Sequence, residues 1–240
     1  EAFRADPHGI AGILIEPIQA EGGDHHFRSE FLAELRRLAD QHEALLIFDE
    51  VQTGMGMTGS MWAFQQLGVT PDLVAFGKKT QVCGIMSTRR IDAVERNVFR
   101  VSSRINSTWG GNLVDMVRCA RYLQIIEQED LVANAARVGL HLLEGIGALQ
   151  SRFESMSNVR GRGLLIAFDL PDGETRNALR TACWERGLAT LVCGPRSLRF
   201  RPPLTFSEAE ADRALEILGA ALAAVAEVPR LPVAAPAAVE

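Results

Sequence analysis

What the sequence lacks narrows the reading first. There is no excess of basic charge: 25 Lys and Arg stand against 30 Asp and Glu, a net −5, and no basic cluster offsets it. A nucleic-acid-binding surface is therefore not expected. No apolar run is long enough to cross a bilayer as a helix, so no membrane span is expected. Cysteine is scarce, and the four present, Cys83, Cys119, Cys183 and Cys193, have no paired spacing. They read as reduced thiols in a cytoplasmic protein rather than as a disulfide framework. His25 and His26 are adjacent, but no third ligand stands at a helical or turn spacing. No metal site is expected there, and the two read as solvated loop residues. What remains is an ordinary globular composition, 47% hydrophobic and 23% charged, long enough for one large domain or two small ones.

One stretch organises the rest. Leu45-Leu46-Ile47-Phe48 is apolar without a period and runs into Asp49-Glu50-Val51-Gln52-Thr53-Gly54. Such a run predicts a strand buried on both faces, as in a parallel sheet covered by helices. Leu73-Val74-Ala75-Phe76 has the same character and ends at Gly77-Lys78. Open parallel sheets bind ligands beyond the carboxyl ends of their strands. A carboxylate left there is costly unless a cation meets it. Two neighbouring strands would bring the acid Asp49 and the amine Lys78 to one rim. That pairing suits pyridoxal phosphate, which needs a lysine for its Schiff base and an acid to keep its ring nitrogen protonated.

Upstream, residues 11–16 predict a buried strand ending at Glu16 and closed by Pro17. Glu21-Gly22-Gly23 follows as a rim loop, and Ser29 is placed to cap a helix. Phe31, Leu32, Leu35, Leu38 and Ala39 recur at helical spacing and are expected to face the sheet. Strand, helix and strand make a right-handed βαβ unit, which sets Glu16 and Asp49 on one edge. Gly54, Gly56 and Gly59 suggest a phosphate cradle only weakly, because no helix start follows them. A short helix is expected over residues 62–67 and a turn at Thr70-Pro71-Asp72. The cation adjacent to each of Lys78 and Lys79 lowers an amine's pKa, and burial lowers it further, which favours a neutral nucleophile. The polar, glycine-rich stretch 106–111 precedes a predicted helix over 113–127 and suits an anion.

Beyond residue 127 the pattern changes. Asp130 is placed to cap a long helix with Leu131, Val138, Leu142 and Leu149 inward. Gly161-Arg162-Gly163 opens a strand over 164–168, and Pro171-Asp172-Gly173 is a turn. A helix ending at Gly187 leads to strands over 188–192 and 198–200. Ser207 and Glu210 form a capping box for a last helix with its apolar stripe at Ala211, Leu215, Leu218, Leu222 and Val225. The expected organisation is residues 1–127 in an α/β sheet domain, 128–228 in a small α+β domain, and 229–240 as a disordered tail. Arg199 has a fork suited to bidentate capture of a carboxylate. Arg201 lies two residues on, so strand alternation puts it on the same face and does not separate the two.

The pieces Glu16-Pro17-Ile18-Gln19, Phe48-Asp49-Glu50-Val51-Gln52-Thr53-Gly54, Pro71-Asp72, Gly77-Lys78 and Ser107-Thr108-Trp109-Gly110-Gly111-Asn112 resemble, in order and separation, the class III pyridoxal-phosphate aminotransferases. The resemblance covers nearly the whole chain. It implies the fold-type I transferase fold, with part of the large parallel-sheet domain followed by the small α+β domain. It also assigns roles by position. Lys78 would carry the Schiff base, Asp49 would hold the ring nitrogen, and Gln52 would hydrogen-bond the ring's phenolic oxygen. Thr108 would reach the cofactor phosphate of a partner subunit, which implies a homodimer. Arg199 would take the substrate α-carboxylate, with Glu21 as its movable partner. Within the family, Gly77-Lys78-Lys79-Thr80-Gln81-Val82-Cys83-Gly84 and Asn106 to Asn112 look most like the lysine 6-aminotransferases, as does an apolar residue at Met57 where relatives carry arginine. L-lysine and 2-oxoglutarate, or L-glutamate in reverse, are the implied substrates; the alternatives are another class III ω-aminotransferase, acting on ornithine or 4-aminobutyrate, and an inactive fragment of such an enzyme. Leu113, Val114, Asp115, Arg118 and Arg121 depart from the family pattern in ways that bear on packing. Members of the family carry a preceding segment with a phosphate loop and a stacking aromatic. The chain is therefore expected to be the C-terminal portion of a longer enzyme and a poor catalyst alone.

Overall fold

The computed structural model describes residues 1–105 and 111–227. Asn106, Ser107, Thr108, Trp109 and Gly110 lie outside the described residues, as does the expected tail at 229–240. Two four-stranded sheets dominate, one in each half of the chain.

The first half opens with a helical turn, α1 (Ala2–Ala5), followed by β1 (Gly12–Ile15), β2 (Ile18–Gln19) and β3 (His25–His26). Helix α2 (Ser29–Gln41) then leads to β4 (Leu45–Asp49), β5 (Leu73–Phe76) and β6 (Gly84–Ser87). The sheet order is β1-β4-β5-β6. β1 and β5 run parallel to β4, and β6 returns antiparallel to β5. The βαβ unit read from the sequence is present, and α2 lays Leu32 and Ala39 on Leu46 and Phe48. Phe31 departs from its expected inward place; it is 41% exposed. It leans on Phe27 with ring centroids 5.1 Å apart, so its contact is local rather than with the sheet. Ser29 is the first helical residue and not a cap, because Arg28 holds the extended N-cap position without a side-chain bond. His25 and His26 are not loop residues. They form β3 and pair with β2, Ile18 opposite His26 and Gln19 opposite His25. His26 is half-buried, and burial first, then Arg162, Arg160 and His25, push its pKa down to about 4.

The second half begins with α3 (Leu113–Gln128) and α4 (Leu131–Gln150), followed by the hairpin β7 (Ser157–Arg162) and β8 (Leu165–Asp169). Helix α5 (Gly173–Glu185), β9 (Leu191–Cys193), β10 (Ser197–Phe200) and α6 (Glu208–Ala226) complete it. This sheet, β7-β8-β10-β9, is antiparallel throughout. β8 is buried along its whole length, and α4 presents Leu131, Val138, Leu142 and Leu149 as its periodicity requires. Asp130 caps α4 only by position: its φ is +48 and its side chain makes no cap hydrogen bond. The Ser207–Glu210 capping box of α6 is formed.

One of the tight contacts between the two halves is at Gly163. Gly163 turns the β7–β8 hairpin at φ +52, and a Cβ there would sit 2.4 Å from the Thr58 carbonyl carbon. The next residue, Leu164, donates its N–H to Met57 O at 2.9 Å. Only glycine combines that left-handed conformation with that approach. The rim loop after β4 is thereby fastened to the second sheet, and Met57 and Ile18 join the second core.

Candidate active site

β4 and β5 are parallel neighbours with Asp49 in register with Ala75, so the strands end together. The residues beyond them share one rim, as the apolar runs suggested. Asp49 is half-buried and accepts the Val51 N–H at 3.0 Å. Glu50 faces the other way and is 1% exposed. Its carboxylate takes Thr53 Oγ1 at 2.8 Å, Ala63 N at 2.7 Å and Phe64 N at 2.9 Å. Burial outweighs those three bonds and holds its pKa above the usual carboxylate value. Glu50 therefore ties the loop after β4 to the 3-10 turn Ala63–Gln66, the short helix expected over 62–67. That loop carries Gln52. The glycines of this loop form turns, Gly56 N to Met61 O at 3.2 Å and Gly59 N to Gly56 O at 3.0 Å, packed on Leu204 and Ala136.

The two lysines separate by environment. Lys78 is exposed and sits at φ +32, an uncommon conformation for a residue with a Cβ. Lys79 turns inward, donating from Nζ to Gln52 O and, at 3.1 Å, to Gly54 O. Burial, then the charge of Arg201, lower its pKa to about 7. The desolvation argument made for both lysines thus applies to Lys79. The amine that faces outward at the rim is Lys78.

Arg199 and Arg201, inseparable by alternation, have different partners. Arg199 is 3% exposed, and its Nη2 donates to Glu21 Oε1 at 2.9 Å. Its Nη1 lies 3.5 Å from Asp24 Oδ1. Arg201 Nη1 donates to Gln52 Oε1, and Gln52 Nε2 reaches Glu21 Oε1 at 3.4 Å. A guanidinium has only donors, so the Gln52 oxygen must face Arg201 and its amide N–H groups face the rim. Asp24, Arg160 and Glu50 were not picked out from the sequence. Asp24 sits on a Gly-Gly-Asp turn, and the cation paired with its carboxylate is 175 residues away along the chain (199 − 24). Nothing local in the sequence signals that contact.

An acid, an amide donor and an amine at adjacent strand ends match a ring bearing a basic nitrogen, a phenolic oxygen and an aldehyde. Asp49, Gln52 and Lys78 therefore fit pyridoxal phosphate by the chemistry of their donor groups. Thr108, assigned to the phosphate, lies outside the described residues.

Comparison with known proteins shows the family. Residues 2–222 match the family model described as aminotransferase class-III. The chain is 56% identical over 225 residues to an L-lysine-epsilon aminotransferase of Amycolatopsis lactamdurans, covering 93% of this chain and 50% of that protein. It is 38% identical over 226 residues to human mitochondrial 4-aminobutyrate aminotransferase, covering 92% of this chain and 44% of the relative. A solved lysine aminotransferase from M. tuberculosis superposes with a TM-score of 0.91 at 53% identity, over 93% of this chain and 52% of that one. The chain thus spans about half the length of the relatives it matches. With the family match running through both sheets and the rim between them, the chain belongs to the class III aminotransferases.

Proposed function

We propose that the protein transfers the ε-amino group of L-lysine to 2-oxoglutarate, giving L-2-aminoadipate 6-semialdehyde and L-glutamate, with pyridoxal phosphate as cofactor. Asp49, Gln52 and Lys78 would hold that group, and Thr108 would reach its phosphate across a homodimer interface. When bound, pyridoxal phosphate supplies an electron sink for the carbon from which a proton is removed. The chain's own residues do the rest. Asp49 keeps a proton on the ring nitrogen. The Gln52 amide, oriented by Arg201, donates to the phenolic oxygen. The Lys78 Nζ would hold the group at rest and, as a free amine, would take up and return the proton at the substrate carbon.

The observation that carries this reading is the Glu21–Arg199 pair. Its arginine is 3% exposed and fixed, whereas its glutamate side chain is 65% exposed. Arg199 holds the Glu21 carboxyl below the usual carboxylate range, so the pair is ionised at neutral pH. Paired, it masks the arginine while a substrate presents a terminal amine. Opened, it offers the guanidinium to the α-carboxylate of the oxo acid. One site can then serve two unlike substrates in turn. The higher identity to lysine than to 4-aminobutyrate enzymes supports lysine as the donor. The exposed apolar residues of α3, including Leu113 at 77% and Val117 at 71%, accord with a surface that a second subunit covers. The free thiols accord with a cytoplasmic compartment.

The test is glutamate formation by the native holoenzyme from 2-oxoglutarate with lysine, ornithine or 4-aminobutyrate in parallel. Lysine should give the highest kcat/KM. A preference for either of the others would reassign the donor, and no turnover with any of them would end the proposal.

A further inference from the structure

Asp24 is completely buried, and neither of its carboxylate oxygens has a hydrogen-bond partner. Facing it, Nε and Nη1 of Arg199 are also without one, with Nη1 3.5 Å from Asp24 Oδ1. Buried polar groups are nearly always paired, and mutually unsatisfied ones of opposite charge call for an explanation. The backbone allows Asp24 no escape. It sits at φ +47, and its N–H donates to Ala20 O at 2.9 Å. Its carbonyl takes Arg160 Nε at 2.8 Å, and the same guanidinium holds Gly23 O at 2.5 Å. Arg160 is itself fixed by Asp169 at 2.9 Å and Ser197 Oγ at 3.0 Å. Glu21, three residues earlier, projects a side chain that is 65% exposed. Arg199 thus faces one carboxylate that can leave and one that cannot.

We infer that Asp24 is the immobile partner of Arg199, a positioning residue whose charge sets how strongly the site accepts a dicarboxylate. The inference rests on the reading of Arg199 as the carboxylate site. Five charged side chains, Arg199, Arg201, Arg160, Glu21 and Asp24, form the cluster. When Glu21 leaves, Asp24 keeps the buried guanidinium oriented and partly neutralised, so an incoming carboxylate is bound firmly but releasably. An ionised Asp24 also repels that carboxylate, and a neutral one does not. Asp24 is poised between the two states: burial, opposed by Arg199, Arg160 and Arg201, raises its pKa to about 6. The other groups facing it are Cys193 on β9, kept as a neutral thiol with its pKa pushed up to about 12, and Glu21 on its own loop. Lys79, lowered to about 7, titrates nearby but is present in wild type and variant alike.

The probe is glutarate, a non-reacting dicarboxylate, bound to the native holoenzyme and followed by calorimetry. Two like charges within about 10 Å of each other at an effective dielectric of about 20 repel by more than a factor of ten in binding, so Asp24→Asn should bind glutarate at least about tenfold tighter than wild type at about pH 8. By about pH 5, where Asp24 is protonated in wild type, the two affinities should converge. Asp24→Ser, a second neutral replacement, should behave alike. If neither variant folds, proton uptake on binding glutarate is read at about pH 6 in Lys79→Met, which removes the other group titrating there; absence of uptake overturns the inference. Arg199→Met separates the two levels of the argument. If it abolishes glutarate binding while Asp24→Asn matches wild type at both pH values, the role of Asp24 is wrong. If glutarate still binds Arg199→Met as it does wild type, the assignment of Arg199 as carboxylate site has failed instead.

Discussion

Removing the Glu50 carboxylate should loosen the loop that presents Gln52, and the size of the effect can be worked from its bonds. Glu50→Ala leaves the Ala63 N–H, the Phe64 N–H and the Thr53 hydroxyl without their acceptor. Ala63 and Thr53 are completely buried, so water does not replace the lost bonds. At about 1–3 kcal/mol for each buried donor left unpaired, the two buried groups together cost about 3 kcal/mol. Part of this is offset because a desolvated carboxylate is no longer held in the fold. Glu50→Gln keeps one acceptor oxygen and should cost about 1 kcal/mol. The sign with pH is fixed by the raised folded pKa of Glu50. Its contribution to stability is complete below its unfolded pKa and is lost as pH rises through the folded value, so the penalty of Glu50→Gln should shrink with rising pH. Amide hydrogen exchange, resolved on a peptide containing Ala63 and Phe64, reads the local opening directly. About 3 kcal/mol corresponds to roughly a hundredfold loss of protection. Protection within about twofold of wild type in Glu50→Ala would refute the assignment of Glu50 as the tie of this loop.

Two further outcomes follow from the rim. Asp49→Ala should leave the Lys78–cofactor linkage able to form, seen in the visible spectrum, while kcat falls by about three orders of magnitude, as expected when a preorganised charge is removed from the reacting ring; near-normal turnover would mean another group protonates the ring. Lys79→Met should flatten a pH dependence. Burial lowers the folded amine to about 7 from its ordinary 10.5, so the unfolded chain binds more protons between those values and wild-type stability rises across that window. A variant that keeps the same rise would place the titration elsewhere.

Much of the fold was legible because burial on both faces leaves a plain mark. The aperiodic runs at Leu45 and Leu73 are the two central parallel strands, and the spacing of α4 gives its inward face. Edge strands left less trace. β6 is half-buried only at Gly84 and exposed from Ile85 to Ser87, and β7 carries a single large apolar side chain, Val159, in Ser157–Arg162, so neither shows the pattern of a buried strand. His26 was misjudged because its burial comes from the second half of the chain, where Arg160 and Arg162 face it. Neighbouring functional residues were the hardest to tell apart. Asp49 and Glu50 point to opposite faces, but which face is the rim depends on the 3-10 turn at Ala63. Arg199 and Arg201 share a face and are separated only by Glu21 and Gln52, which come from distant loops.

The central claim is that Lys78 is the amine that carries the cofactor, and reductive labelling tests it most directly. Borohydride treatment of the native holoenzyme fixes the cofactor to its lysine irreversibly, and digestion with peptide mapping locates it. The account expects the pyridoxyl label on Lys78, the outward-facing amine at the end of β5. Label on the inward-facing Lys79, or on no lysine of this chain, would contradict it.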